Sequence, residues 1–423
     1  MHFSELLRRP LVTGSGERVA RVADVVVRMR DEQYPLVTGL VARIGGRRIF
    51  VSTNQVTSLD GPRIELTRDK VSLRSFERRD GEFLLREDVL GHRMINVGFA
   101  ELVRASDVQF QPEGEGWVLT GVDTRRPRRL WGMIAPGRGH PSVDWKALEP
   151  LVAQQPSFGS RGGLRLRRLR PAQLADLLED ASRGESAQIL DHVHVDPELE
   201  ADVFEELDPD TARRLLREKS DADVAAVLAR MRADDAADAL NDLPQERRQP
   251  VLDALPAPQR TKVLILLGFN PASAGGLMNV DALTVREGAS VAEALRAVRA
   301  AAMLQPEAVT TVHAVDERRC LVGVAGVVRL VQSDPAGPLG EVVDRDPVRV
   351  TAETDVVDLA LLMADYNLVT IPVVDADDQL LGVVTVDDVL EAIIPDDWRR
   401  REPPPHPEHP APARPEPEAS LQP

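Results

Sequence analysis

The part of this 423-residue sequence that decides the fold is the junction Ser273-Ala274-Gly275-Gly276-Leu277-Met278. On its amino-terminal side, leucines recur with a period typical of packed helices. On its carboxyl-terminal side, a pattern of strand, helix, strand, strand and helix occurs twice. The junction therefore connects two repetitive modules of different secondary structure, and the rest of the chain can be interpreted outward from it.

Residues 171–278 are predicted to form an α-helical superhelix. Leucine occupies every twelfth position from Leu216 to Leu264, and a second apolar series follows three positions behind. Spacings of three and four place these side chains on one face of each helix. So short a unit allows a helix of only about two turns, which cannot bury its apolar face alone. Neighbouring units must therefore stack.

Residues 279–395 are predicted to contain two copies of one unit, at residues 279–333 and 341–395. A capping box of Ser290 and Glu293 opens the helix of the first copy. The pattern resembles a pair of CBS domains, which are regulatory modules that often bind adenine nucleotides or metal ions and commonly dimerise. The resemblance implies a homodimer formed through this pair.

Residues 1–130 are predicted to be rich in β-structure and duplicated. Arg21 and Asp24 recur at one constant offset as Arg104 and Asp107, and residues 37–40 recur nearly in register as residues 119–122. Two related small β units are expected. They resemble a tandem of PRC-barrel domains, a fold that serves as an adaptor in unrelated settings. The resemblance implies docking rather than chemistry, with a membrane transporter or another protein as the partner.

Two segments are predicted to lie outside the packed modules. Residues 131–170 are expected to be a linker with a short helix starting at Trp145 and an arginine cluster after residue 160. Because aromatic residues are not interleaved with these arginines, a solvated connector is favoured over a nucleic-acid contact. Residues 396–423 are rich in Pro and Glu and are expected to be disordered.

Charge is distributed unevenly along the chain. Residues 1–170 carry 29 basic and 20 acidic side chains, a net +9, whereas residues 171–423 carry 23 and 48, a net −25, and together they give −16. The acidic half is therefore the better cation binder. No run of 18 apolar residues occurs, so no transmembrane helix is expected. A cytoplasmic location follows, with peripheral membrane association through a partner.

The order of the two modules around the junction resembles the cytosolic region of MgtE-type magnesium channels, over about residues 171–395. The junction itself, the module order and Thr385-Val386-Asp387-Asp388-Val389-Leu390 carry this resemblance. It implies a regulatory role linked to magnesium transport. The MgtE pore domain is not expected in this sequence, and the PRC-like part is foreign to that family.

The resemblance implies a Mg²⁺ site that combines Asp234 and Asp238 with Asp388 of the second CBS copy, and Asp202 is a further candidate. Asp234 and Asp238 are four positions apart, so their carboxylates share a helix face. Mg²⁺ prefers oxygen ligands and retains several waters, which suits such a set. The alternative is a solvated acidic face whose carboxylates favour helix N-termini.

A nucleotide site is implied by Thr385 and Asp388, because CBS domains use a Thr-x-x-Asp sequence to bind ribose hydroxyls. The first copy has Gly326 and Arg329 at these positions. Arginine accepts no hydrogen bond, so at most one adenine nucleotide per chain is expected.

Catalysis is not indicated by the sequence. It contains no phosphate loop of the Gly-x-x-x-x-Gly-Lys type, no zinc motif and no convincing catalytic triad. The leading hypothesis is a magnesium sensor. The alternatives are an adenine-nucleotide sensor and an RNA- or ribosome-associated adaptor.

Overall fold

The computed structural model contains two compact units, Met1–Val263 and Leu264–Pro423. The structure describes residues 1–7, 9–30, 33–44, 46–67, 76–79, 81–114, 116–125, 142–151, 165–302, 304 and 306–394. The predicted tail (396–423) and two parts of the predicted linker (131–141 and 152–164) lie outside the described residues.

The first unit begins with a curled sheet of eleven strands. These are β1 (Pro10–Val12), β2 (Arg18–Arg28), β3 (Leu36–Ile44), β4 (Arg47–Ser52), β5 (Ile64–Glu65), β6 (Glu82–Leu84), β7 (Arg93–Asn96), β8 (Glu101–Glu113), β9 (Gly116–Arg125), β10 (Ser142–Asp144) and β11 (Leu148–Pro150). The sheet order is β11-β7-β8-β9-β3-β2-β1-β5, and β10, β4 and β6 pair with β9, β3 and β2. A shared apolar core, which includes Leu40, Phe83 and Val108, fills the curl.

The sheet contains the duplication that the sequence predicted. Two irregularities in β2 recur at equivalent places in β8: the register shifts at Val22/Asp24 and Val26/Val27 correspond to those at Ala105/Asp107 and Gln109/Phe110. In both copies the first shift is stabilised by the aspartate itself. Asp24 Oδ1 accepts a hydrogen bond from the backbone N–H of the next residue, Val25, at 2.7 Å. Asp107 Oδ1 accepts the equivalent bond from Val108 at 2.8 Å. The two copies therefore share a β-bulge of the same design.

The two copies also bind each other reciprocally. Asp24 Oδ1 accepts a hydrogen bond from the backbone N–H of Arg86, in the turn before the second copy, at 2.8 Å. Asp107 Oδ1 accepts one from the backbone N–H of Ser4, in the helix Phe3–Leu6 before the first copy, at 3.1 Å. The two related β units that the sequence predicted thus share one core. The resemblance to PRC barrels stays a prediction.

Residues 142–150 belong to the second copy, although the sequence suggested a linker there. Strand β10 pairs with β9 in the second copy in the same way as β4 pairs with β3 in the first. Asp144 lies opposite Gly121, and at the equivalent place in the first copy Ser52 lies opposite Gly39. A one-turn 3-10 helix follows in each copy, and Trp145 of the second stacks on Phe83 in the core. The helix expected to run from Trp145 to Val152 is limited to the 3-10 turn Trp145–Ala147, and β11 follows it because pairing with β7 satisfies the backbone there.

Eight helices lie between residues 171 and 266 of the described chain. They are Pro171–Asp180, Arg183–Val193, Pro197–Glu206, Pro209–Glu218, Asp221–Leu228, Ala233–Asp242, Gln245–Ala254 and Ala257–Leu266. From Pro197 onward a helix begins at every twelfth position, as the leucine period predicted. The most extensive contacts join a helix to the helix two positions further along the chain, and these contacts cover its apolar face.

The leucine series is buried except at its end. Leu216, Leu228, Leu240 and Leu252 are all buried, whereas Leu264 is 51% exposed. In the last helix Val263 and Leu266 take the buried positions instead. The buried face that the leucine period follows therefore shifts in the last helix.

The second unit contains two similar motifs. The first comprises β12 (Thr284–Arg286), helix Val291–Ala300, β13 (Thr311–Val315), β14 (Leu321–Gly326) and helix Val327–Gln332; the second comprises β15 (Val350–Thr351), helix Val356–Tyr366, β16 (Thr370–Val374), β17 (Leu380–Thr385) and helix Val386–Ile393. Each motif has a three-stranded sheet with one parallel and one antiparallel pair. This is the order of elements that the sequence predicted.

Equivalent residues of the two motifs meet each other. The hydroxyls of Thr311 and Thr370, which begin β13 and β16, lie 3.0 Å apart, and Cys320 forms an isolated β-bridge with Gln379. Contacts between equivalent positions require a local two-fold relation, so the two motifs form a paired unit.

The junction packs onto the second motif. The backbone N–H groups of Ala274 and Gly275, in the short helix Ala274–Leu277, donate to the carbonyls of Thr354 and Ala352, each at 2.8 Å. A Cβ atom on Gly276 would lie 2.3 Å from the carbonyl oxygen of Asn270. The glycine is therefore needed for close backbone approach.

We expect Gly276→Ala to destabilise the protein by about 1–3 kcal/mol, because the added methyl group overlaps backbone atoms that cannot move aside cheaply. Thermal unfolding of the full chain should show a lower midpoint. The matched control is Gly288→Ala, where a Cβ atom would meet nothing within 4 Å. Equal midpoints for the two variants would contradict the packing argument.

Candidate metal and nucleotide sites

The helix Ala233–Asp242 carries two of the predicted magnesium ligands. Asp234 is buried in its first turn, and Asp238 lies one turn later and is exposed at the surface. Desolvation by the packed helices, followed by the charge of Asp242, raises the pKa of Asp238 to about 6. A cation bound beside this carboxylate would relieve the cost of ionising it.

Asp235, on the same helix, is already engaged by a cation of the protein. Arg232 Nε donates to Asp235 Oδ2 at 2.6 Å, and the backbone N–H of Arg232 donates to Glu205 Oε1 at 2.6 Å. Burial, and then the charge of Asp234, raises the pKa of Asp235 well above its ordinary value, and Arg232 opposes this rise. Asp235 and Glu205 therefore serve the packing of this corner.

Asp202 lies exposed on the helix Pro197–Glu206. Its pKa is raised, first by desolvation and then by the charges of Glu198 and Asp196, while Arg232 lowers it. Among the described residues, the ligand atoms of Asp202, Asp234 and Asp238 do not all lie within 4.8 Å of one another. An ion that retains waters can still bridge more distant carboxylates.

Thr385 and Asp388, the predicted nucleotide ligands, lie at the start of the last helix of the second motif. Thr385 is fully buried and Asp388 is 5% exposed. Thr385 Oγ1 lies 2.6 Å from Asp388 Oδ2 and 2.5 Å from Asp387 Oδ1. A hydroxyl has one proton, so it donates to one of these carboxylates at a time. The contact fixes the orientation of the Asp388 carboxylate.

The equivalent positions of the first motif carry different chemistry. Gly326 precedes the helix Val327–Gln332 without a side-chain cap, and Arg329 is exposed. Gly326 ends β14 as Thr385 ends β17, and Arg329 follows it by the same spacing that separates Asp388 from Thr385. The asymmetry between the motifs that the sequence indicated is therefore present at equivalent sites.

Sequence reasoning missed one constellation in the sheet domain. His2, Asp107 and Asp123 bring one nitrogen and two carboxylate oxygens within 4.8 Å of one another. They are distant in sequence and lie on different elements, and only the register of β8 against β9 brings the two aspartates opposite each other. The internal repeat was the available signal, because the first copy has the apolar Leu84 and Val41 where the second has His2 and Asp123.

Among the described residues, no helix is long and apolar enough to cross a membrane.

Two segments of the chain match known family models. Residues 169–272 match the MgtE intracellular N domain, and residues 339–395 match the CBS domain. The second match corresponds to the second motif of the structure, and the first motif is its structural equivalent.

Two curated relatives, both named magnesium transporter MgtE, show the same likeness. The Thermus thermophilus protein is 39% identical over 163 residues, which cover 38% of this chain and 36% of that protein. The Bacillus subtilis protein is 24% identical over 226 residues, which cover 53% of this chain and 49% of that protein. The chain therefore matches about half or less of the length of these relatives.

Two solved structures are similar to this chain over slightly more than half of its length. The crystal structure of the cytosolic domain of the Mg²⁺ channel MgtE in complex with ATP has 31% identity and a TM-score of 0.52, covering 55% of this chain and 94% of that chain. The soluble part of a magnesium transporter has 24% identity and a TM-score of 0.50, covering 56% and 91%, and supports the fold alone. The helical and CBS parts of this chain therefore belong to the family of MgtE cytosolic domains.

Proposed function

We propose that this protein is a regulatory module for magnesium transport that responds to Mg²⁺. The observation that carries the proposal is the helical domain followed by the CBS pair, which is shared with a cytosolic domain of an Mg²⁺ channel at 31% identity over 94% of that domain. The relatives are named as transporters, and no enzymatic role is proposed. A cytoplasmic location, with peripheral attachment to a membrane partner, follows from this role.

The proposed Mg²⁺ ligands are Asp234, Asp238 and Asp202 of the helical domain and Asp388 of the CBS pair. Asp202 and Asp238 both have raised pKa values, which reflect desolvation and negative neighbours. Binding of Mg²⁺ would offset this repulsion, and carboxylates with water molecules match its coordination preference. Asp235 is left out because Arg232 already binds it.

We expect Asp234→Asn with Asp238→Asn to weaken Mg²⁺ binding at least about tenfold in calorimetry of the full chain at fixed ionic strength, because two charged ligands are lost. Binding by wild type should weaken when the pH falls from about 7.5 to 5.5. Asp238, whose pKa is about 6, is then largely protonated and no longer a ligand.

The matched control for this test is Asp210→Asn with Asp253→Asn, which removes the same charge from exposed positions of the same domain. If the control weakens Mg²⁺ binding equally, the effect is general electrostatics. In that case, the carboxylates of the Ala233–Asp242 helix are a solvated face.

An adenine nucleotide is the second proposed ligand. Support comes from the orientation of Asp388 by Thr385, and from the similar cytosolic domain that was solved with ATP. A pure adenine-nucleotide sensor, in which the helical domain only relays the signal, is the alternative function that this observation favours. Asp238 distinguishes the two, because it is a proposed Mg²⁺ ligand and is not a proposed nucleotide ligand.

We expect at most one AMP or ATP to bind per chain, because Arg329 cannot accept a hydrogen bond from a ribose hydroxyl. Thr385→Val should lower nucleotide affinity about tenfold, since it removes the hydroxyl that orients Asp388 and keeps the carboxylate, whereas Asp238→Asn should lower Mg²⁺ affinity and leave nucleotide affinity unchanged. Calorimetry with each ligand measures both quantities. A stoichiometry of two nucleotides per chain would contradict the asymmetry of the motifs.

A homodimer through the CBS pair is also proposed. The last helices of the two motifs expose equivalent apolar side chains, Val331 (66%) and Leu390 (46%), and Val328 is 72% exposed. A second copy of the chain would present the same residues and so match this surface by two-fold symmetry.

We expect Val331→Glu with Leu390→Glu to convert a dimer into a monomer in sedimentation equilibrium, because charges would be buried in an apolar contact. Val195→Glu, at a 65% exposed valine of the helical domain, should leave the dimer intact. A monomeric wild type, or a dimer that survives both substitutions, would rule out this surface.

We propose that the sheet domain docks a membrane transporter or another protein, because its sequence is predicted to resemble PRC barrels. An RNA- or ribosome-associated adaptor is the remaining alternative. The net +9 of residues 1–170 permits such a contact, and strong salt-dependent retention on RNA would favour it.

A further inference from the structure

A cluster of three metal-ligating side chains lies in the second copy of the sheet domain. His2 Nδ1 is 3.3 Å from Asp123 Oδ2 and 3.9 Å from Asp107 Oδ2. Two ligand atoms of a tetrahedral ion with bonds of about 2 Å lie about 3.3 Å apart. The three atoms therefore need only small movements to share one ion.

The other carboxylate oxygens of this cluster are held by separate donors. Gln109 Nε2 donates to Asp123 Oδ1 at 2.8 Å. Asp107 Oδ1 accepts from the backbone N–H groups of Ser4 and Val108 at 3.1 and 2.8 Å. Each aspartate thus has one oxygen fixed by the protein and directs the other, Oδ2, toward His2. Such outer hydrogen bonds orient the ligands of metal sites.

The first copy provides an internal comparison for these positions. In the second copy Asp123 lies opposite Asp107, and in the first copy Val41 lies opposite Asp24. In the same way, His2 forms a β-bridge with Gln109 in the second copy, and Leu84 pairs with Val26 in the first. In the first copy Val26, Val41 and Leu84 form a buried apolar cluster.

The fold is therefore compatible with apolar side chains at the places of His2, Gln109 and Asp123. A histidine, a glutamine and an aspartate occur together there only in the second copy. Since the backbone does not require them, their grouping calls for a chemical reason of its own.

We propose that His2, Asp107 and Asp123 bind a divalent first-row transition-metal ion of the zinc class, with water completing its coordination. An imidazole nitrogen with two carboxylates suits Zn²⁺ and similar ions, whereas Mg²⁺ prefers oxygen ligands throughout. The site is thus chemically distinct from the Mg²⁺ ligands proposed above and lies in a different domain.

The test is calorimetric titration of the untagged full chain with Zn²⁺, with Mg²⁺ in excess to occupy sites made of oxygen ligands alone. Wild type should bind one Zn²⁺ that is lost in the variant His2→Leu with Gln109→Val and Asp123→Val. This variant carries apolar residues of the kind found in the first copy, so the domain should still fold, and circular dichroism checks that it does. Gln109→Leu alone should weaken binding by about 10–100-fold, because it removes only the donor to Asp123.

The matched control is His92→Gln with Asp60→Asn, which removes one histidine and one aspartate from exposed positions of the same domain. It should bind Zn²⁺ as wild type does. The proposal is overturned if wild type and the triple variant bind the same number of Zn²⁺ ions, or if the control loses the ion as well. His2 would then be only an ion-pair partner of the two aspartates.

Discussion

A two-turn helix or a three-stranded sheet has an apolar face that only a neighbouring element can cover. Each part of this chain meets that need by placing a second copy of the same unit against the first. In the sheet domain the copies share one core, and in the CBS pair Thr311 meets its own equivalent Thr370. In the helical domain the contact passes from each helix to the next but one. Repetition is therefore the source of the cores in all three parts.

Charge is arranged within this framework so that some carboxylates are neutralised and others are not. Arg232 connects Glu205 and Asp235, and Lys219 lies 2.7 Å from the buried Glu200. These acids contribute to packing because a cation of the protein lies beside them. The charged neighbour with the largest effect on Asp238, in contrast, is another acid, Asp242, which adds to the desolvation that raises the pKa of Asp238. The helical domain thus contains carboxylates that are paired with its own cations, and others, such as Asp238, that have an acidic side chain as the main charged influence.

Much of the fold could be predicted because its periods are long and regular. The leucine series predicted the spacing of the helix starts, passages that recur at a constant offset predicted the duplication of the sheet domain, and a repeated pattern of strands and helices predicted that of the CBS pair. The end of the second sheet copy could not be predicted, because β10 and β11 are very short and follow a segment rich in glycine and proline. The exposure of Leu264 could not be predicted, because a sequence period does not show where a stack of helices ends.

The candidate sites were predictable to a smaller degree. Thr385 and Asp388 are three positions apart at a helix start, so their contact follows from local geometry. Asp107 and Asp123 face each other only because a β-bulge shifts the register between Ala105 and Asp107. A shift of this kind moves side chains between faces, and a period in the sequence does not reveal it.

The reciprocal hydrogen bonds of Asp24 and Asp107 have a consequence for how the sheet domain unfolds. Each bulge aspartate fixes the segment that leads into the opposite copy, through Arg86 in one case and Ser4 in the other. Opening either copy therefore releases an anchor of the other and exposes their common core. The domain should behave as a single cooperative folding unit, in which the beginning of the chain is as integral as the middle.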